Sequence, residues 1–437
     1  MEWQLFLLLF FGSLLILMAT GMPVAFGFLT VNVIFMFIYW GGAAGLQQLI
    51  ESLFVSVSSF TLLPIPLFVL MGEVMFRSDI APKMMDVLDK WLGRLPGRLG
   101  LLAVGGGTVF ATLSGASMAS VAMLGGTLVP DMEKRGYKKA MTLGPILGSG
   151  GLAIMIPPSN LAVLLGAIGE ISVAGILIAI IVPGLLMATL YAGYIILRSW
   201  LQPSIAPSYE VASTPWSDKL VSMVKYVLPL GFIVFLVIGI IFVGVATPSE
   251  AAATGALGTI ILAAAYGKLN WNMLKTSFTS TFQVTVMIFM IIAGALAFSQ
   301  IVAYSGASRG LVDFATNLPI PPLAIVGAML LVSIFLGMFV NLVAIMMLTL
   351  PLFVPVVIAL GFDPVWFAVI YLLTLEMGAT SPPFGLALFV MRGVAPAGTT
   401  MGDCYKAALP FLGCDLIALL LILFIPMIAQ WLPNLMS

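Results

Sequence analysis

Two stretches of this sequence decide its fold: Ile156-Pro157-Pro158-Ser159-Asn160 and Thr380-Ser381-Pro382-Pro383-Phe384-Gly385. Each pair of prolines lies in the middle of an apolar run, near 140–168 and near 364–391. Proline lacks a backbone donor and clashes with the preceding turn, so two in succession predict that the helix unwinds there. Unwound backbone is tolerated at membrane depth only where it is buried in protein or lines a cavity. The two stretches therefore indicate either structural kinks or a binding site.

The composition assigns the chain to the membrane proteins. Hydrophobic residues make up 62% of the 437 positions and charged residues only 8%, whereas soluble domains average about 45–50% and about 25%. So few charges cannot cover a soluble surface, and the apolar content supplies about a dozen crossings at about 20 residues each. The sequence predicts an all-α polytopic membrane protein.

The residue inventory excludes several kinds of chemistry. The chain has no histidine, and Cys404 and Cys414 are too few for a zinc or iron–sulfur site. It also lacks a Gly-x-Gly-Asp motif, which argues against an intramembrane enzyme. Because 17 basic residues balance 17 acidic ones, no nucleic-acid partner is expected.

Two further apolar runs, 98–131 and 321–361, are too long for one crossing and too short for two with a proper loop. Each is interrupted near its middle by small or polar residues, Ser114–Ser117 in the first and Gly337–Asn341 in the second. This pattern predicts a re-entrant helical hairpin, which enters the membrane and turns back halfway. Close helix packing is the alternative interpretation of such small residues.

The interruptions recur at a nearly constant offset, which predicts two repeats, 1–200 and 222–437, joined by a polar linker at 201–221. Each repeat is expected to hold two spans, an amphipathic arm (near 42–60 and 268–282), a span, a hairpin, a broken helix and a closing span. At the hairpins the matching positions are 222 residues apart: Gly115, Ala122 and Thr127 correspond to Gly337, Ala344 and Thr349. At the breaks they are 225 residues apart: Pro157, Pro158, Leu161 and Ala162 correspond to Pro382, Pro383, Leu386 and Ala387.

The basic residues predict the orientation. With the N-terminus outside, 16 of the 17 Lys and Arg residues lie on the cytoplasmic side and only Arg309 lies outside. The two hairpins then enter from opposite faces, so the repeats have inverted topology. Inverted repeats with discontinuous helices are typical of secondary transporters. A channel is an alternative, but hairpins entering from opposite faces favour alternating access.

The ends of broken helices offer ligands for cations and for anions. Their unpaired carbonyls, with nearby hydroxyl or amide oxygens, can replace the water shell of Na⁺, and their unpaired amides favour a carboxylate or sulfonate. Pairing each hairpin tip with the break of its own repeat predicts two cation sites. The first contains Ser114, Gly115, Ser117, Pro157 and Ser159, and the second contains Gly337, Asn341, Gly378, Thr380 and Pro383.

The hydroxyl and amide groups at the breaks are the candidate anion ligands, namely Ser117, Ser159, Asn160 and Ser381. Arg392 either reaches the anion or extends to the cytoplasmic surface. Glu376 lies one turn before the second break, so it either sits near the ions or hydrogen-bonds to a neighbouring helix.

Several motifs closely resemble the large membrane subunit of tripartite ATP-independent periplasmic (TRAP) transporters, and the similarity runs end to end. They are the stretches 64–73, 113–120, 129–137, 156–159, 246–253 and 375–383. One departure is Val340-Asn341, where many family members have an acidic residue.

The resemblance implies an Na⁺-driven importer of organic acids in the bacterial inner membrane, working by an elevator movement. It implies two partners, a small four-helix membrane subunit and a periplasmic binding protein that delivers the substrate. It also implies sodium sites at the hairpin tips and facing breaks. A symporter of the same architecture that needs no binding protein is the alternative.

Overall fold

The computed structural model describes residues 2–78, 80–93, 95–114, 117–207 and 215–436, with the side chains of all but 81 and 110–114. The first half forms α1 (Trp3–Ala19), α2 (Val24–Tyr39), α3 (Ala43–Val57), α4 (Pro64–Arg77), α5 (Ile80–Leu92), α6 (Arg98–Ser114), α7 (Ser117–Lys134), α8 (Lys139–Met155), α9 (Asn160–Ile168), α10 (Val173–Ala179) and α11 (Ile181–Leu201). The second half forms α12 (Trp216–Ser222), α13 (Leu228–Phe242), α14 (Pro248–Ala265), α15 (Trp271–Tyr304), α16 (Ala307–Thr316), α17 (Pro322–Gly337), α18 (Leu342–Ala359), α19 (Pro364–Thr380), α20 (Leu386–Val394), α21 (Met401–Phe424) and α22 (Met427–Gln430).

The helical membrane class expected from the composition is confirmed. Within the described ranges there is no strand, and six helices are long and apolar enough to cross a bilayer, or seven if α8 and α9 count as one bent span. This is fewer than the dozen crossings suggested by the apolar content. Six other apolar helices are 10–17 residues long, at or below the lower limit of about 17 residues for a span.

Short helices meet at the interruptions seen in the sequence. In the second half α17 ends at Gly337 and α18 begins at Leu342. In the first half α6 and α7 flank 115–116, which lie outside the described residues. At the double prolines α8 gives way to α9 with a bend of 48°, and α19 gives way to α20.

Helices α8 and α19 form the centre of the molecule. Every residue from Met141 to Met155 and from Trp366 to Thr380 is buried. The two helices contact each other, α6 and α7 pack on α8, and α17 and α18 pack on α19. A helix that is apolar on all sides needs such a surrounding. The ends of α8 and α19 at the breaks are therefore enclosed by protein.

Helices α2, α4, α14 and α15 pack together as a second group, called here the scaffold helices. The Phe10 ring of α1 stacks on Phe298 of α15 with 4.1 Å between ring centroids. Asn32 of α2 donates its Nδ2–H to the carbonyl of Gly294 at 2.6 Å. These contacts fix α15 against the N-terminal helices.

One expectation about the helix boundaries is wrong. The arm near 268–282 and the following span form one continuous helix, α15, because neither glycine nor proline occurs between Trp271 and Ala293. In the first half the arm α3 does end before α4, since a short 3₁₀ turn (Phe60–Leu62) and Pro64 follow it. The closing span expected near 172–198 is confirmed as one apolar span, Val173–Leu201, in which the single residue Ile180 separates α10 from α11. In the linker, 208–214 lie outside the described residues.

Candidate functional site

A cavity of about 600 Å³ separates the scaffold helices from the hairpins and broken helices. Residues of α4 and α15 form one wall, and residues of α7, α9, α18 and α20 form the other. Most of the lining is apolar, with side chains such as Ile65, Val69, Met287 and Ile291. The volume suits a small organic molecule.

Four helix N-termini line this cavity. Helix α7 begins at Ser117, α9 at Asn160, α18 at Leu342 and α20 at Leu386, and each of these residues belongs to the cavity wall. The first four N–H groups of a helix have no partner within the helix. The amide ends of all four half-helices therefore lie around one space.

Two of these helices have side-chain caps at the cavity. Ser159 Oγ accepts a hydrogen bond from the backbone N–H of Ala162 at 3.3 Å, and Asn341 Oδ1 accepts one from Ala344 at 2.8 Å. A cap satisfies one of the four unpaired donors. Several first-turn N–H groups thus remain for a bound anion.

The charged groups of the scaffold wall are paired with each other. Glu73 lines the cavity and accepts a hydrogen bond from Arg77 Nε at 2.9 Å. Arg77 also donates from Nη2 to Ser280 Oγ of α15 at 2.8 Å. No Lys or Arg is among the described lining residues, so the positive potential here comes from backbone dipoles.

Two residues of the second predicted cation set, Gly337 and Gly378, meet at one helix crossing. A Cβ built on Gly337 would lie 2.7 Å from Gly378 Cα, so α17 and α19 touch through their backbones. Thr380 Oγ1 donates to the carbonyl of Glu376 at 3.0 Å and keeps its lone pairs. The Pro383 carbonyl accepts a hydrogen bond from the Tyr405 hydroxyl at 2.6 Å. Asn341 caps α18, as described above.

The first predicted cation set is only partly described. Gly115 and the side chain of Ser114 lie outside the described residues, while Ser117, Pro157 and Ser159 are buried. Ser117 Oγ donates to Glu376 Oε1 at 2.9 Å, and both side chains are buried. This contact joins the first hairpin to the broken helix of the other half. Pairing within each half alone did not anticipate it.

The candidate anion ligands are found in different places. Ser117 and Asn160 line the cavity, and buried Ser159 caps the helix beside them. Ser381 is buried and donates to the carbonyl of Met377 at 2.6 Å. Arg392 is exposed in the last turn of α20, about 9 Å along the helix from its cavity end at 1.5 Å per residue.

Sequence reasoning missed one polar group at the centre of the membrane region. Asp415 of α21 is 3% exposed and accepts a short hydrogen bond from the hydroxyl of Tyr191 of α11. The signal was a single carboxylate inside an apolar run, because an ionisable residue at that depth needs a partner.

Comparisons with known proteins confirm the resemblance seen in the sequence. A model of the family "Tripartite ATP-independent periplasmic transporter, DctM component" matches residues 11–428. The chain is 31% identical to the C4-dicarboxylate TRAP transporter large permease protein DctM of Pseudomonas aeruginosa, over 89% of this chain and 90% of the relative. It is 27% identical to the isethionate TRAP transporter permease protein DctMQ of Oleidesulfovibrio alaskensis, over 96% of this chain and 65% of that protein.

The solved structure of the Alcanivorax borkumensis YdaH transporter has a similar fold. The TM-score is 0.63 at 16% identity, and the match covers 90% of each chain. At this identity the likeness concerns the fold alone.

Proposed function

Because the chain belongs to the DctM component family of the tripartite ATP-independent periplasmic transporters, we propose that it couples the import of a small organic anion to Na⁺. Membership makes it a multi-pass inner-membrane transporter permease and not an enzyme. The observation that carries the proposal is the convergence of four helix N-termini on one cavity. The anion is a carboxylate or a sulfonate, in line with the C4-dicarboxylate and isethionate in the names of the relatives.

The helix ends supply the attraction for the anion. A negative group at a helix N-terminus gains about 0.3–1 kcal/mol at an exposed site and up to about 2 kcal/mol in a partly buried one. Even at the exposed-site value of about 0.3–1 kcal/mol each, four N-termini would together contribute about 1–4 kcal/mol. The apolar walls strengthen the effect, since charges interact more strongly away from water. They would also pack against the carbon skeleton of the substrate.

The opposite helix ends supply the cation sites. Helices α8 and α19 end at Met155 and Thr380 with carbonyls that have no partner within the helix. Backbone carbonyls and hydroxyls are the oxygen ligands that discontinuous transporter helices use for Na⁺. Two Na⁺ with one monoanion would carry net positive charge inward. The membrane potential would then contribute about 2.3 kcal/mol per charge per 100 mV.

The movement proposed is that of an elevator. The hairpins and broken helices would carry the ions past the scaffold helices, as two inverted repeats with the N-terminus in the periplasm. The partners proposed are a small four-helix membrane subunit and a periplasmic binding protein. Loss of uptake into proteoliposomes when the binding protein is omitted would separate this system from a self-sufficient symporter.

Sodium binding is tested by thermal unfolding of the purified protein in NaCl, KCl and choline chloride. An ion that binds only the native state raises the melting temperature in a saturable way. A rise specific to Na⁺ is expected, and Ser117→Ala or Thr380→Ala should reduce it. Thr316→Ala, at an exposed position on α16, is the matched control and should keep it. Equal curves in NaCl and KCl would overturn the sodium proposal.

Anion binding is tested in the same assay with Na⁺ present. Succinate and isethionate are the probes, and glycerol is the uncharged control. A further rise in the melting temperature with either anion, and no rise with glycerol, is expected if the helix N-termini bind negative groups. The same small response to all three compounds would contradict an anion site in the cavity.

A further inference from the structure

We propose that the protein binds an anionic phospholipid beside α13, with one acyl chain in an apolar groove and the phosphate between Lys83 and Lys225. The groove has a volume of about 410 Å³ and shares no described lining residue with the large cavity. The site is therefore separate from the proposed transport site and does not depend on Na⁺ or substrate binding.

One wall of the groove is a stripe of α13 and of the π-helical turn before it, Met223–Val227. Lining residues recur there at helical spacing, namely Val227, Leu230, Gly231, Val234 and Ile238. The opposite wall comes from α5, α6, α11 and the first double-proline break. Every described lining residue is uncharged. A stripe of this kind needs an apolar neighbour, and here it faces a groove.

The groove opens to the outside of the helix bundle and has the length of one lipid leaflet. Leu185 and Phe235 of its lining are 59% and 74% exposed, whereas Met84 is buried. From Val227 to Ile238 the lining covers about 16 Å of helix at 1.5 Å per residue. Half of the hydrocarbon core of a bilayer is about 15 Å thick. An acyl chain of the same leaflet therefore fits along α13.

Two lysines lie at one end of the groove without an acidic partner. Lys83 directly precedes the lining residue Met84, and Lys225 lies two residues before Val227. Their ammonium groups lie 5.2 Å and 5.5 Å from the ring centroid of Tyr226. In the part of the chain that the structure describes, no carboxylate oxygen lies within 4.0 Å of either nitrogen. An anion close to both would offset their mutual repulsion.

Aromatic side chains place these lysines at the depth of lipid headgroups. The rings of Tyr226 and Tyr266 are 5.9 Å apart, and those of Trp91 and Trp216 are 5.7 Å apart. Tyr and Trp concentrate at the membrane–water interface. Lys219 adds a further positive charge, 5.6 Å from the ring centroid of Trp216. Basic residues grouped beside a membrane helix at this depth attract anionic headgroups.

Thermal unfolding of the purified protein in detergent, titrated with phospholipid, tests the proposal. Dioleoylphosphatidylglycerol is the anionic probe, and dioleoylphosphatidylcholine has the same chains without net charge. A lipid that binds only the native state raises the melting temperature in a saturable way. Phosphatidylglycerol should act at the lower concentration, and Lys83→Gln or Lys225→Gln should each weaken its binding about fivefold. Both variants should leave the response to phosphatidylcholine unchanged.

Lys275→Gln is the matched control for charge, because Lys275 is exposed on α15, and it should change neither response. Equal responses of the wild-type protein to the two lipids would overturn the anionic site. An equal loss in Lys275→Gln would also overturn it, since basic residues in general would then attract the anionic micelles.

A substitution within the groove tests the position of the acyl chain. A Cβ on Gly231 or on Gly239 of α13 would have nothing within 4 Å, and of these two Gly231 lines the groove. Gly231→Leu should weaken the response to both lipids, whereas Gly239→Leu should leave both unchanged. A phosphatidylglycerol response that survives Gly231→Leu would overturn the proposal and indicate another occupant of the groove, such as a further membrane subunit.

Discussion

The contact between Gly337 and Gly378 allows a quantitative test of the packing at the second break. A Cβ built on Gly378 lies 2.8 Å from Gly337 Cα and 3.1 Å from the carbonyl oxygen of Ile334. Because carbon atoms pack at about 3.5–4.0 Å, Gly378→Ala must separate α17 from α19 by about 1 Å. Overpacking of this kind costs about 1–3 kcal/mol, while alanine gains about 0.5–1 kcal/mol over glycine within a helix. The expected net destabilisation is between about 0 and about 2.5 kcal/mol.

Gly327→Ala is the control, since a Cβ there would have nothing within 4 Å. The same substitution on α17 should stabilise the protein by about 0.5–1 kcal/mol, so the difference between the two variants isolates the overpacking. Unfolding midpoints in detergent, followed by tryptophan fluorescence with and without NaCl, are the measurement. The Na⁺-specific rise in the unfolding midpoint should be lost only in Gly378→Ala, because separating α17 from α19 displaces the backbone carbonyls at the end of α19. Two variants of equal stability would refute the close contact.

Substitutions at two further positions, one in the second hairpin and one in the scaffold helices, use the same assay. Asn341→Ala removes the cap of α18 and should cost about 1 kcal/mol, whereas Asn341→Asp should keep the cap; equal losses in both would contradict the capping role. Phe298→Ala empties a fully buried position that stacks on Phe10 and should cost about 3–5 kcal/mol. The Na⁺-specific rise in the unfolding midpoint should persist in Phe298→Ala, because the scaffold helices contain no proposed cation ligand. Loss of that rise would contradict the assignment of the cation sites to the hairpins and broken helices.

The sequence predicted features that depend on local chemistry. Consecutive prolines cannot continue a helix, so the ends of α8 and α19 follow from Pro157 and Pro382. The turn after Gly337 follows from small and polar residues in an apolar run. These interruptions were detectable because each breaks a pattern within about ten residues of sequence.

Features that depend on contacts between distant segments were not predictable in this way. The Ser117–Glu376 hydrogen bond spans 259 residues, and nothing local to either residue indicates the other. Asp415 and Tyr191 are 224 residues apart, so a carboxylate within an apolar run gave no indication of its partner. Likewise, the packing of α4 and α15 opposite the hairpins determines the cavity, and apolar helices give little sign of which neighbour they face.

The short breaks give a physical reason for coupling in the proposed transport cycle. Only Ile156–Ser159 separate the carbonyl end of α8 from the amide end of α9, and Ser381–Gly385 separate α19 from α20. A cation at one end and an anion at the other would therefore bind the same short segment. Moving either charge alone through a region of low dielectric is costly, whereas a neighbouring opposite charge offsets part of that cost. A cycle in which the hairpins and broken helices move only with both ions bound follows from this difference.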